Sequence, residues 1–228
     1  MVSSIKVDAV TFDDYNTLRY SPEQEDIIYP ILRNLKKEGI MLDEDRFLRE
    51  YRRADRAYRK RLSESYRESL LDKIVADAMR NLGFRVNYQD RIMKTAVEEG
   101  LRTRNNSWYP DSIETLTELR RRGYILGLIS NTHWRWLRED RKEFQKYLQV
   151  IALSYEVGYA KPHPSIFLAT LRRMRVVPKR CLHVGDDPVA DIEGAGKAGM
   201  RTAFIKKGSV DADSDMQIEK LSELLDTL

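Results

Sequence analysis

The sequence is poor in cysteine and histidine and has no long apolar segment. It contains one cysteine and three histidines among 228 residues. One cysteine excludes a disulfide framework within the chain, and we interpret Cys181 as a small buried residue near the start of a strand. No apolar run approaches the roughly 18 residues needed to span a membrane, and the N-terminus lacks the zones of a signal peptide. We therefore expect a cytoplasmic protein with no membrane contact.

The charge balance and the histidine positions argue against further classes. Forty Lys and Arg face 36 Asp and Glu, giving a net charge of +4, and no zinc-finger or RNP signature is present. We therefore expect no nucleic-acid partner. His133, His163 and His183 lack a metal-ligand spacing, so we assign them no catalytic role.

Short apolar segments typical of buried strands alternate with helical patterns over most of the chain. The predicted strands are residues 7–12, 124–130, 150–154, 181–186 and 201–205. A helix is predicted over about 189–198, and Ile218 is assigned to a closing helix. This alternation predicts an α/β fold, a Rossmann-like parallel sheet with helices on both faces.

The stretch between the first two of these strands is different, because its apolar residues recur only at helical spacing. Four stripes begin near Ile27, Phe47, Leu71 and Ile92. This stretch is too long for a loop. The sequence therefore predicts an α/β core domain of residues 1–18 and 106–228, with residues 19–105 inserted as an all-helical cap.

Three polar residues stand where predicted strands end. They are Asp13, Ser130 and Asp186. Open α/β sheets bind ligands at the carboxyl ends of their strands. We therefore expect these side chains to meet at one edge of the sheet.

Four segments, in this order, resemble the haloacid dehalogenase (HAD) superfamily of hydrolases. They read FDDYNTL, LISN, AKPHPSIF and HVGDDPVADIEGAGKAGM. The helical insert stands where that family carries a helical cap. The resemblance spans nearly the whole chain and implies a hydrolase with a small anionic, phosphorylated substrate.

The resemblance implies a role for each motif residue. Asp13 matches the family's nucleophile, since a carboxylate can attack a phosphoryl group or a carbon centre. Ser130 matches the hydroxyl that holds a phosphate oxygen, with the backbone of Asn131 beside it. Lys161 matches the lysine that neutralises the nucleophile and the substrate.

A Mg²⁺ ion is also implied, because several carboxylates gather at one edge and would otherwise repel. By resemblance, Asp13, Asp186 and the backbone carbonyl of Tyr15 hold the ion. Asp187 or Asp191 is a further ligand or supports one. The alternative for Asp187 is that it caps the next helix.

Tyr15 divides the evidence on the reaction. Phosphatases of this family read D-x-D, and the second aspartate moves protons; a phenol is a poor base at neutral pH. The 2-haloacid dehalogenases read D-x-Y-G-T, with glycine where this chain has Asn16. They typically lack the acidic metal-type segment that this chain keeps at Asp186. Three hypotheses stay open: a Mg²⁺-dependent phosphatase, which we favour, a haloacid dehalogenase, and a degenerate member that binds ligand with little turnover.

Other features have ordinary interpretations. The glycine-rich GAGKAG at 194–199 begins inside a predicted helix, so we interpret it as packing against the sheet rather than nucleotide binding. The arginines between residues 46 and 61 form a solvated helix face, or alternatively contact the substrate. Trp134 and Trp136 pack, or alternatively line the entrance to the site.

Overall fold

The computed structural model describes residues 6–21, 27–67, 70–103, 106–132, 138–206, 208 and 210–228. The chain divides into two compact units. The first contains Met1–Tyr20, Asn106–Thr132 and Glu139–Leu228, and the second contains Ser21–Asn105 and His133–Arg138. That the second unit serves as a cap stays a prediction. Among the described residues, no helix combines the length and apolar character needed to cross a membrane.

The strands are β1 Ala9–Phe12, β2 Arg19–Tyr20, β3 Ser107–Trp108, β4 Ile125–Ser130, β5 Val150–Leu153, β6 Cys181–Gly185, β7 Arg201–Ile205 and β8 Met216–Ile218. The α-helices are α1 Ile28–Lys37, α2 Glu44–Ser65, α3 Leu71–Asn81, α4 Arg91–Arg102, α5 Ser112–Arg121, α6 Arg138–Gln145, α7 Ser154–Val157, α8 Pro164–Met174, α9 Gly194–Lys197 and α10 Leu224–Thr227.

The first unit is built on a six-stranded sheet in the order β5-β4-β1-β6-β7-β8. All neighbouring pairs run parallel, which confirms the predicted α/β class. Strand β1 lies between β4 and β6 and is fully buried, as its run of apolar residues predicts. Cys181 opens β6 as a buried residue, in agreement with its interpretation as a packing residue.

Two elements of this unit differ from the prediction. Ile218 does not begin a helix; it ends β8, where it pairs with Ile205. A three-residue strand is too short to show a period of two, and the spacing of Ile218 from the apolar residues that follow also fits a helix. The predicted helix at 189–198 is a π-helix, Pro188–Glu193, followed by α9.

The second unit is helical, with α1 packed on α4 and α2 on α3. Gly100 allows the first of these contacts, because a Cβ there would lie 2.6 Å from Cγ1 of Ile31. Within α4 the predicted Ala96 and Val97 are buried, but the buried stripe begins at Met93 rather than at Ile92, which is 40% exposed. Met93 lies three and four residues before Ala96 and Val97 and so shares their helix face.

Candidate active site

Three neighbouring strands bring the first predicted residues to one edge of the sheet. Ser130 is the last residue of β4, Asp13 follows β1, and Asp186 follows β6. The backbone N–H of Asp13 donates to the carbonyl of Val184 at 2.9 Å. This bond fixes the start of the loop after β1 against β6.

Lys161 joins two carboxylates at this edge. Its Nζ lies 2.6 Å from Oδ1 of Asp13 and 2.6 Å from Oδ1 of Asp191. Burial alone would lower the pKa of Lys161, but the charges of Asp13 and Asp191 raise it above its usual value. Lys161 is therefore a fixed positive charge, and its side chain is only 3% exposed.

Asn131 holds the backbone of Lys161 in place. Its Oδ1 accepts the N–H of Lys161 at 2.7 Å, and its Nδ2 donates to the carbonyl of Lys161 at 2.9 Å. The sequence had indicated only the backbone of Asn131, beside the buried Ser130. The side chain therefore links the second and third motifs, a contact that spacing alone cannot reveal.

Asp191 is buried and hydrogen-bonded on both oxygens. Oδ1 contacts Lys161 and also lies 3.0 Å from Nε2 of His183, while Oδ2 accepts the N–H of Asp187 at 3.1 Å. Burial by itself would raise the pKa of Asp191, but Lys161 and His183 hold it below its usual value. A Cβ on Gly185 would lie 2.2 Å from Cγ of Asp191, so glycine is required there.

His183 supports Asp191 from within the sheet. A carboxylate only accepts, so Nε2 of His183 carries the hydrogen and Nδ1 accepts from the hydroxyl of Thr11 at 3.0 Å. Burial lowers the pKa of His183, in agreement with a neutral ring. His183 therefore orients Asp191, a contact that no histidine spacing had indicated.

Asp187 contacts Asp191 through its backbone N–H, while its side chain is engaged elsewhere. Its Oδ1 accepts the N–H groups of Val189 and Ala190, both at 2.8 Å, and so caps the π-helix. Of the two residues suggested as a further metal ligand, Asp191 lies in the carboxylate cluster and Asp187 does not. The geometry favours the capping alternative for Asp187.

The clustered carboxylates fit a cation. Asp13, Asp186 and Asp191 each offer one oxygen, and these atoms lie within 4.8 Å of one another. Burial, and then the charge of Asp191, raise the pKa of Asp186 to about 6. Burial likewise raises the pKa of Asp13, although Lys161 opposes the shift. Mg²⁺ prefers carboxylate oxygens and would relieve this repulsion, so the cluster could hold a metal ion.

The loop after β1 carries the residues that depart from the phosphatase pattern. Asn16 has φ 61°, a left-handed conformation that asparagine tolerates better than most residues, which explains how it replaces glycine here. Its side chain also hydrogen-bonds to Asp186. The adjacent Tyr15 is half-buried and forms a backbone bridge with Arg19. Its carbonyl as a metal ligand stays a prediction.

The carboxylate of Asp14, next to Asp13, is paired with Arg19. Nε and Nη2 of Arg19 donate to its two oxygens at 2.8 and 2.7 Å. The Asp14 side chain is 11% exposed. Asp14 therefore does not replace the second aspartate of the phosphatase pattern.

The remaining candidates have packing or surface roles where they are described. A Cβ on Gly194 would lie 2.9 Å from Cε2 of Phe167, and Gly199 has φ +81° just after α9, so the GAGKAG segment packs against its neighbours and ends a helix. His163 caps α8 by accepting the N–H of Ser165.

The basic side chains of α2 are exposed, and their contact with substrate stays a prediction. They are Arg46, Arg49, Arg52, Arg53, Arg56, Arg59, Lys60 and Arg61. His133, Trp134 and Trp136 lie outside the described residues.

An aspartate, a lysine and further carboxylates thus lie together at the carboxyl edge of a parallel α/β sheet. The chain belongs to the haloacid dehalogenase-like hydrolase family, whose model matches residues 7–199. The resemblance drawn from the four motifs is confirmed.

The relatives include a phosphatase and a dehalogenase. Over 130 residues the chain is 35% identical to a glyceraldehyde 3-phosphate phosphatase of Methanopyrus kandleri, covering 53% of this chain and 56% of that protein. The chain thus spans about half the length of this relative. It is 27% identical to (S)-2-haloacid dehalogenase 4A of Burkholderia cepacia over 235 residues, covering 98% and 95%. The fold resembles that of a 2-haloacid dehalogenase from Pseudomonas syringae, with a TM-score of 0.72, 24% identity and 97% of each chain covered.

Proposed function

We propose that the protein is a Mg²⁺-dependent phosphatase that hydrolyses a small phosphomonoester through an aspartyl-phosphate on Asp13. The observation that carries this proposal is the cluster of Asp13, Asp186 and Asp191 around a single lysine, Lys161. If the Lys161 ammonium alone balanced these carboxylates, the cluster would repel an anionic haloacid. With a divalent cation in place it would attract a phosphate group.

Asp13 is suited to nucleophilic attack. Lys161 contacts one of its oxygens, which leaves the other to form a bond to phosphorus as the bond to the leaving alcohol breaks. A Mg²⁺ ion held by Asp13 and Asp186, with Asp191 beside them, would supply charge stabilisation for the phosphoryl oxygens. Ser130, at the end of β4, would hold one of those oxygens.

Water then attacks phosphorus, the bond to Asp13 breaks, and inorganic phosphate leaves. One proton must reach the leaving alcohol in the first step, and one must leave the water in the second. Tyr15 can donate a hydrogen bond but is a poor base, and Asp14 is held by Arg19. We therefore infer that solvent carries part of this proton traffic. Turnover would then be slower than in a phosphatase with the D-x-D pair, by part of the roughly 10²–10⁴-fold that general acid–base catalysis contributes.

A 2-haloacid dehalogenase is the second candidate. Tyr15 stands in the D-x-Y pattern, and the similarity to the Burkholderia cepacia dehalogenase extends over 98% of the chain. In that reaction Asp13 would attack carbon, displace the halide, and form an ester that water hydrolyses, with no need for a metal. The position of Asp186 beside Asp191 argues against it, because nothing in halide displacement uses the added negative charge.

Two assays on the same preparation separate the candidates. Phosphate release from p-nitrophenyl phosphate is followed with Mg²⁺ and with EDTA, and chloride release from 2-chloropropionate is followed with EDTA. The Asp13→Asn variant is the control for contaminating activity. We expect phosphate release that requires Mg²⁺ and no chloride release. Chloride release alone would transfer the assignment to the dehalogenase, and silence in both assays would favour a degenerate, ligand-binding member.

A further inference from the structure

The loop that carries Asp13 and Tyr15 is closed by a buried ion pair, Asp14 with Arg19. The guanidinium binds both carboxylate oxygens, at 2.8 and 2.7 Å. The Arg19 side chain is 6% exposed and that of Asp14 is 11% exposed. A bidentate pair of this kind fixes the orientation of both groups as well as the distance between them.

The backbone is closed between the same two residues. The carbonyl of Asp14 accepts the N–H groups of Leu18 and Arg19, both at 2.9 Å, and the N–H of Asn16 donates to the carbonyl of Arg19 at 2.7 Å. Residues 14 and 19 are thus joined through both main chain and side chains. Asp13 and Tyr15, on either side of Asp14, have little freedom to move while this closure holds.

Arg19 is anchored on its other side by elements outside the carboxylate cluster. Its guanidinium lies 4.4 Å from the ring centroid of Phe144 and 6.0 Å from that of Trp108, and 3.7 Å from Oδ1 of Asp140. Trp108 in turn donates from Nε1 to Glu143 at 2.6 Å. The loop is therefore tied to β3 and α6, a site of attachment distinct from Lys161.

Stability alone gives a poor reason for this arrangement. Desolvating two charges offsets most of their attraction, so a buried ion pair adds little net stability compared with apolar residues of similar volume. What the pair does supply is a defined geometry at the residue next to Asp13. Small displacements of a reacting group matter, since a shift of about 1 Å can cost about 10²-fold in rate.

We propose that Asp14 and Arg19 are positioning residues that hold Asp13 and Tyr15 in their reactive arrangement. The kinetic test of this inference rests on the proposed function, because it needs phosphatase activity. The structural test depends only on the hydrogen bonds within the loop.

The other end of β1 offers a matched control. Asp8, which precedes the strand, pairs with Arg180, whose Nε donates to Oδ2 of Asp8 at 2.8 Å, with a second, shorter contact between Nη2 and Oδ1. These side chains are 43% exposed for Arg180 and 52% for Asp8. The chemistry of the two pairs is the same, and they differ in burial and in their distance from Asp13 along the strand.

The test uses the full chain with Asp14→Leu and Arg19→Met together, so that neither charge is left buried and unpaired. The control carries Asp8→Leu and Arg180→Met. Arg19→Lys keeps the charge but cannot bind both oxygens. Two measurements are made on each: kcat and KM for p-nitrophenyl phosphate with Mg²⁺, and hydrogen exchange of the Leu18 and Arg19 amides.

We expect the first double variant to lose about 10²-fold in kcat with KM nearly unchanged, and to lose protection at both amides. Arg19→Lys should fall between it and the wild type, and the Asp8 and Arg180 control should match the wild type. Wild-type kcat in the Asp14 and Arg19 double variant, or a change in KM alone, would overturn the positioning role.

Two further outcomes remain decisive. If the wild-type protein shows no phosphate release, the proposed function fails, and hydrogen exchange alone decides this inference: retained protection at Leu18 and Arg19 in the double variant would refute the closure. If the double variant does not fold, Arg19→Lys takes its place, and unaltered kcat and protection there would likewise overturn the proposal.

Discussion

The segment after β1 contributes two carboxylates to this region and the segment after β6 contributes three, and the partners of these carboxylates differ. In the first loop Asp14 is neutralised by Arg19 and Asp13 contacts Lys161. After β6, Asp187 caps the π-helix, and Asp191 contacts the same Lys161 as Asp13 does. Asp186 is left beside Asp191 with its pKa raised to about 6.

This difference locates the negative charge that an added cation would neutralise. Arg19 neutralises Asp14 within the first loop, whereas Asp13, Asp186 and Asp191 form a cluster in which Lys161 contacts both Asp13 and Asp191. The dehalogenase-like residue, Tyr15, lies next to the neutralised Asp14, and the metal-type residue, Asp186, lies in the carboxylate cluster. The negative charge that Asp186 adds beside Asp191 therefore bears more directly on the reaction than Tyr15 does.

The largest effect is expected on the first loop. Asp13→Asn should reduce turnover by about 10⁴-fold or more, because an amide is a poor nucleophile. The fold should survive, since asparagine has the same shape and Lys161 keeps its contact with Asp191. Steady-state assays with a urea unfolding curve on the same sample check both parts. An Asp13→Asn enzyme with wild-type kcat would remove Asp13 from the mechanism.

The second effect sharpens the contrast within the second loop. Mg²⁺ should stabilise the wild-type protein by about 2.7 kcal/mol at a concentration 100 times its Kd. Asp186→Ala should abolish that gain, while Asp187→Ala should keep it because Asp187 faces the helix start. Thermal unfolding with and without Mg²⁺ measures both. Equal Mg²⁺ responses in the two variants would break the distinction.

Tyr15→Asp tests the other side of the comparison. It restores the D-x-D pair beside Asp13, so phosphatase turnover should rise, by an amount that could approach 10²-fold, roughly. Tyr15→Phe is the matched control, since it removes the hydroxyl without adding a base. If Tyr15→Asp raised no phosphatase activity and released less chloride than the wild type, the tyrosine would belong to a dehalogenase site.

The smallest effect is on stability alone. Asp187→Ala should cost about 1 kcal/mol by removing the cap of the π-helix, with little change in kcat. Chemical denaturation measures the first part and steady-state kinetics the second. A large loss of kcat at unchanged stability would place Asp187 in the chemistry after all.

The sequence predicted the parts of this molecule that local pattern controls. Apolar runs located β1, β4 and β6, and the positions of Asp13, Ser130 and Asp186 at the ends of predicted strands indicated that they share an edge. Parallel strands make that inference possible, since residues at their carboxyl ends must lie together whatever the loops do.

Contacts between distant side chains could not be predicted from the sequence. The hydrogen bonds of Asn131 to Lys161 and of His183 to Thr11 depend on rotamers and on strand register, which spacing does not encode. The choice between Asp187 and Asp191 also required geometry, because either carboxylate can cap a helix or face the cluster. Short strand β8 was missed because three residues show no period.

The chemical identity of the adduct on Asp13 distinguishes a phosphatase from a dehalogenase most directly. The enzyme is quenched with acid during turnover, and the peptide that contains Asp13 is analysed by mass spectrometry. We expect a phosphoryl group on Asp13 when p-nitrophenyl phosphate and Mg²⁺ are present, and none with EDTA. A propionyl ester on Asp13 from 2-chloropropionate, with no phosphoryl adduct under any condition, would contradict it.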